Sequence, residues 1–192
     1  LYREDTKDCV IVDPGDEAKR IKKFIEDQEL HPVAILLTHG HFDHVMAVDS
    51  VRAAYHIPVY AAEAEKETMH DASINLSINM GGAMLSVEAD HWLKDGETIT
   101  LLDQEVRCIL TPGHTVGGMC FYFPKAGMLF SGDTLFQESV GRTDFPGGSM
   151  SEIVRSIREK LFVLPDAVQV YPGHGLMTSI KNEKMFNPFA VE

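Results

Sequence analysis

Short apolar runs closed by turn residues alternate with amphipathic stretches through the first third of the chain. Cys9 to Val12 is apolar and stops at Asp13-Pro14-Gly15, which predicts a strand and then a turn. Asp16 is placed to cap a helix in which Ala18, Ile21, Phe24 and Ile25 recur on one face. His31-Pro32 interrupts that helix, and Val33 to Leu37 supplies five apolar residues in succession, the pattern of a strand buried on both faces. Val45, Ala47, Val48, Val51 and Ala54 then form a helical stripe. Ile57 to Ala61 predicts another strand, with Pro58 at its start or on a sheet edge. Residues 62–95 carry less pattern: a short helix, then a loop around Asn75 to Gly82. Gly81-Gly82, Met80 and Met84 there suit either a mobile flap over a pocket or a packed surface loop.

From Ile99 onward the spacing becomes that of strands: Ile99 and Leu101, then Val106, Cys108 and Leu110, then Cys120 to Phe123, then Met128 to Phe130. Turns at Asp103-Gln104, Pro112-Gly113 and Pro124 to Gly127 separate them. Ser149-Met150-Ser151-Glu152 reads as a capping box opening a helix that buries Ile153, Ile157 and Leu161. Val168 to Tyr171 is the last strand, and a final helix starts at about Ser179. The mixture predicts sheets covered by helices, in the α/β (α+β) class, and a length of 192 residues predicts one domain over 1–192.

Composition narrows the function classes. Lys and Arg number 17 against 29 Asp and Glu, a net charge of −12. That balance argues against general nucleic-acid affinity and against a polybasic hold on a membrane surface. No apolar stretch approaches the roughly 20 residues a membrane helix needs, and no export signal opens the chain. Cys9, Cys108 and Cys120 are too few and too scattered for a disulfide framework or a thiolate clamp, which points to buried thiols and a reducing cytoplasm.

The chemistry concentrates in Thr38-His39-Gly40-His41-Phe42-Asp43-His44, where His39, His41, Asp43 and His44 fall within six positions. In extended chain, residues two apart project to one side, so His39 and His41 face a common point; the following turn brings Asp43 and His44 to a second point nearby. Imidazole and carboxylate together suit Zn²⁺, Fe or Mn²⁺. His114, Asp133 and His174 share a design with one another: an apolar strand, a Gly, then a ligand-type side chain turned back over the strand end. With the six-residue cluster they make seven ligands, enough for two divalent cations sharing one carboxylate. His31, His56, His70 and His91 have no spacing partner and read as surface or satisfied residues, and Arg142 with Asp144 reads as a local ion pair.

This pattern resembles the metallo-β-lactamase superfamily, from about residue 9 to about 189. The resemblance implies a four-layer αβ/βα sandwich of two mixed sheets flanked by helices, with metals at one edge. It would place His39, His41 and His114 on a first metal, Asp43, His44 and His174 on a second, and Asp133 between them. Asp13 would support the ligand loop from behind. Thr111-Pro112-Gly113-His114-Thr115, Ser131 to Phe136, Gly141-Arg142-Thr143-Asp144-Phe145 and Asn187-Pro188-Phe189 are similar to the glyoxalase II-like small hydrolases. They imply hydrolysis of a small-molecule acyl thioester such as S-D-lactoylglutathione by a hydroxide shared between two metals, expected to be Zn, with Asp43 and Asp133 as catalytic residues. These 192 residues stop soon after the last ligand, before the C-terminal helical domain that full glyoxalase II carries, and the family's opening hairpin is expected to be incomplete in them. Persulfide dioxygenases, with one iron held by the counterparts of His39, His114 and Asp133, are the alternative chemistry. A metal-bound module without turnover is the non-enzymatic one.

Overall fold

The computed structural model describes residues 1–190. Strand β1 (Asp8–Val12) leads through helix α1 (Ala18–Asp27) to β2 (His31–Leu36). Asp16 does not cap α1: Glu17 occupies the cap position with φ +52°, and the Asp16 carboxylate accepts the adjacent Glu17 N–H. Phe24 also leaves the predicted stripe and is exposed, while Ile25 is buried. β2 begins two residues earlier than expected, at His31; Pro32 has no N–H to give the ladder, and the β1–β2 register shifts between Cys9 and Val10. The next helical stripe divides into α2 (Phe42–Val45) and α3 (Val48–Tyr55) before β3 (Val59–Ala62) and α4 (Lys66–His70).

The segment 62–95 holds a strand that periodicity did not reveal, β4 (His91–Leu93), paired parallel to β3. The loop before it is stapled at its base: the Ser77 N–H donates to Asn75 Oδ1 at 2.9 Å and the Leu85 N–H to Ser77 Oγ at 3.0 Å. Met80 and Met84 at its tip are exposed. Then come β5 (Thr98–Leu101), β6 (Gln104–Leu110), β7 (Met119–Phe123) and β8 (Met128–Gly132), a small hairpin of β9 (Leu135–Phe136) and β10 (Ser139–Val140), α5 (Met150–Ser156), β11 (Gln169–Pro172), β12 (Thr178–Ser179) and α6 (Ile180–Phe186). Ser149 and Ser179 cap α5 and α6 by accepting the backbone N–H three residues on.

Two sheets result. The first runs β1–β2–β3–β4, parallel throughout, with an isolated antiparallel bridge between Tyr2 and Cys9. The second runs β12–β11–β8–β7–β6–β5, antiparallel except where β11 pairs with β8. Alternation along β2 builds two of the layers: Ala34 and Leu36 pack with Cys108, Met119, Phe121 and Phe123 of the second sheet, whereas Ile35 and Leu37 pack with Val48 and Val51 of α3. On the far side Cys120, Tyr122, Leu129 and Val170 meet Ile153, Ile157 and Leu161 from α5 and its extension, with Ile180 of α6. The order is helix, sheet, sheet, helix, as predicted. No helix among the described residues is long and apolar enough to cross a membrane.

Candidate metal centre

All four ligand-bearing loops leave the carboxyl ends of strands at one edge of the sandwich: Thr38–His44 after β2, His114 after β6, Asp133 after β8 and His174 after β11. The Met119 N–H donates to the Thr38 carbonyl at 2.8 Å and the Gly173 N–H to the Gly132 carbonyl at 2.9 Å, so the loops are tied across the edge. Gly113 and Gly132 turn at φ +135° and +49°, conformations that disfavour any other residue. Gly173 has a different reason to be glycine. Its φ is not positive; a Cβ there would run into the Asp133 carboxylate and approach His44 Cε1 to 2.6 Å.

The seven expected residues converge. His39, His41 and His114, all buried, offer ring nitrogens within 4.8 Å of one another, and Asp43, His44 and His174 form a second group on the same criterion. Asp133 lies between the groups: Oδ1 is 3.4 Å from His44 Nε2, and Oδ2 is 3.6 Å from His114 Nε2 and 3.7 Å from His174 Nε2. Asp43 Oδ2 is 3.2 Å from His174 Nε2. Asp13, at φ +47°, accepts from the Thr38 N–H at 2.7 Å and from His44 Nδ1 at 2.9 Å. Asp13, His39 and His44 make a third group of ligand-type atoms within 4.8 Å of one another.

Outer partners set which ring nitrogen faces inward. His44 Nδ1 is occupied by Asp13, and His114 Nδ1 lies 2.7 Å from the Arg142 carbonyl, leaving both Nε2 atoms aimed at the centre. Thr38 Oγ1 donates to Asp13 and so accepts from His39 Nδ1 at 3.1 Å. His39 Nε2 and Asp133 Oδ1 are then buried without a hydrogen bond. Burial, reinforced by the surrounding imidazoles, lowers the pKa of His39 well below the ordinary value and that of His41 to about 3; burial also lowers that of His114. These rings are neutral at neutral pH, the state in which imidazole binds a cation. Burial opposes charge on His44 as well, yet Asp13 and Asp133 hold its pKa up to about 10. Asp133 in turn is held below the usual carboxylate range, against its burial, by His44, His114 and His174. Buried imidazole nitrogens and a carboxylate oxygen left without hydrogen bonds make a site that favours positive charge, and divalent cations fit it.

Periodicity and spacing missed Glu65. It lies in Glu63-Ala64-Glu65-Lys66-Glu67, which reads as a solvated run, but its side chain is 1% exposed. Glu65 Oε1 accepts the Gly40 N–H at 3.0 Å and Oε2 accepts the Thr115 hydroxyl at 3.0 Å. One carboxylate thereby joins the residue between His39 and His41 to the residue after His114. Burial outweighs these bonds and raises its pKa to about 7. The remaining histidines are peripheral: His70 meets the Glu88 carboxylate at 2.6 Å and His91 stacks on Tyr60. Cys9, Cys108 and Cys120 are free and buried, and burial pushes the thiols of Cys108 and Cys120 up to about 12 and 11.

Asp43 and His174 are 40% and 55% exposed, which makes theirs the open side of the centre. Two cavities meet there. One of about 260 Å³ is walled by Val12, Phe130 and Tyr171; the other, of about 410 Å³, extends under Phe42, Met80 and Phe145.

The chain is similar to several known proteins. The chain is 41% identical over 182 residues to the probable metallo-hydrolase YqgX of Bacillus subtilis, covering 94% of this chain and 86% of that one. It is 34% identical over 193 residues to the hydroxyacylglutathione hydrolase GloC of Haemophilus influenzae, covering 98% and 90%. Among solved structures, the BLEG-1 B3 metallo-beta-lactamase superposes with a TM-score of 0.94 at 40% identity, covering 100% of this chain and 92% of that one. TTHA1623 in a di-iron-bound form gives 0.82 at 36% identity, covering 93% and 87%. Residues 1–174 match the family model, and the chain belongs to the metallo-beta-lactamase superfamily.

Proposed function

We propose that this protein hydrolyses small-molecule acyl thioesters with two divalent cations. The observation that carries the reading is the pair of ligand groups meeting at Asp133 and opening at Asp43 and His174 onto a cavity large enough for a substrate. The likeness to YqgX supports a metallo-hydrolase, and the likeness to GloC supports a thioester.

In this reading His39, His41 and His114 would hold one cation and Asp43, His44 and His174 the other, with Asp133 placed between the two groups. Bound cations supply a nucleophile from water at neutral pH and polarise the acyl oxygen. The protein's own groups do the rest. Asp13, Thr38 and the Arg142 carbonyl keep the imidazoles in one tautomer and orientation, which removes reorganisation from the reaction. Asp43, half-exposed at the cavity mouth, takes the proton given up by the attacking water. The water oxygen bonds to the acyl carbon, the carbon–sulfur bond breaks, and a carboxylate, a thiol and a proton are released. A thiolate leaves without a strong general acid. Zn²⁺ is the cation proposed; the di-iron form of TTHA1623 keeps iron in view.

The test is hydrolysis of S-D-lactoylglutathione and a simple acyl thioester by metal-loaded protein. His41→Ala is expected to lower the rate by more than about a hundredfold, since even outer partners of metal ligands are worth 10- to 100-fold. Equal rates, or none with the wild type, would overturn the reading. Oxygen uptake with glutathione persulfide by an iron-loaded sample would replace it with the dioxygenase chemistry. Asp133→Asn is expected to reduce metal content more than loss of a terminal ligand does, as measured by elemental analysis.

A further inference from the structure

The larger cavity says which part of a thioester it receives. Beyond the candidate metal residues its walls are Phe42, Leu76, Met80, Phe136, Val140 and Phe145, with two polar side chains, Ser139 and Arg142. Arg142 is the one cation on the wall, and it is already engaged. Its Nε and Nη2 reach the two oxygens of Asp144 at 2.7 Å each, and its guanidinium lies 3.8 Å from the centroid of the Phe145 ring. Asp144 thereby balances the charge of Arg142 and occupies two of its N–H donors, which weakens its pull on an entering anion.

The walls are held in place. The Glu138 N–H donates to Glu183 Oε2 at 2.9 Å and Asn187 Nδ2 to the Ser139 carbonyl at 3.0 Å, which ties the β9–β10 hairpin to α6 and its C-terminal flank. On the opposite side the Phe42 N–H donates to the Asn75 carbonyl at 3.0 Å, which anchors the turn carrying Leu76 and Met80 to the ligand loop. The cavity is therefore formed before any substrate arrives.

We propose that this cavity binds the acyl half of the substrate as an aliphatic chain of several carbons, a proposal that rests on the thioester reading above. A thiol carrier brings amides and anionic groups that need hydrogen-bond partners, and these walls supply one hydroxyl and a neutralised cation. An alkyl chain needs none and gains from every apolar contact. Chains long enough to fill the cavity are the preferred substrates over acetyl or short hydroxyacyl groups.

A series with one small neutral carrier tests this: acetyl, butyryl, hexanoyl and octanoyl thioesters of N-acetylcysteamine, with S-D-lactoylglutathione alongside. kcat/KM is expected to rise roughly fourfold per methylene until the cavity is full. Met80→Ala, on the exposed lip, is expected to compress the octanoyl-to-acetyl ratio by about tenfold, and Phe145→Ala to compress it as well. The free carboxylates, as product inhibitors, follow the same chain-length order. A flat or falling series with measurable hydrolysis of the shortest substrates overturns the acyl-chain proposal and leaves the thioester reading standing. Hydrolysis of no thioester at all overturns both.

Discussion

His44 sits between the Asp13 and Asp133 carboxylates, which favour its protonated form past neutrality. Its folded pKa of about 10 exceeds the unfolded value of about 6.5, so the metal-free fold gains from the imidazolium fully below pH 6.5 and loses that gain as pH rises towards 10. Denaturant melts of metal-free protein should show stability falling across pH 7–10, and a flat profile would contradict the assignment. Glu65 makes a second prediction at this scale. Glu65→Ala leaves the Gly40 N–H and the Thr115 hydroxyl buried without their acceptor, at a cost of about 3 kcal/mol for two such donors. Urea unfolding in the presence of a chelator measures it without interference from bound cations.

At the level of elements, a ligand here is a strand end plus the residue that lets the chain turn or approach. Gly173→Ala should leave β11 and β8 paired but push against His44 and the Asp133 carboxylate, lowering cation affinity about ten- to hundredfold in a chelator competition. The sequence pattern revealed what repeats often enough to be seen. Val33 to Leu37 announced a doubly covered strand, and Ile153, Ile157 and Leu161 announced the buried face of α5 and its extension. The six-residue cluster and the three glycine-led ligands were legible because each carries its own chemistry. β4, β9, β10 and β12 were not, since two or three residues hold no period and pair through the backbone alone. Gly173 was readable as a turn, when its true constraint is space. Glu65 was invisible because a clamp between loops is a tertiary fact: among five residues rich in charge, nothing local marks the one that points inward.

For the molecule as a whole, the two sheets and their covering helices meet along an edge whose polar groups are unfinished without positive charge. Cations that bind the folded chain and not the unfolded one stabilise it by mass action, about 4 kcal/mol at a thousandfold excess over Kd. For 192 residues that corresponds to a Tm shift of roughly 10 °C. Melting with and without a chelator should show a loss of that order, reversed by adding Zn²⁺. A shift absent at saturating Zn²⁺ would mean that the edge does not take it up.

His44 and His174 stand 130 positions apart yet bring their Nε2 atoms to 3.3 Å. During synthesis the chain leaves the ribosome with the first of this pair long before the second, and contacts so distant in sequence form slowly. The group of Asp43, His44 and His174 cannot form until β11 has paired with β8. Any cation held by that group would have to wait until these distant parts of the chain have met.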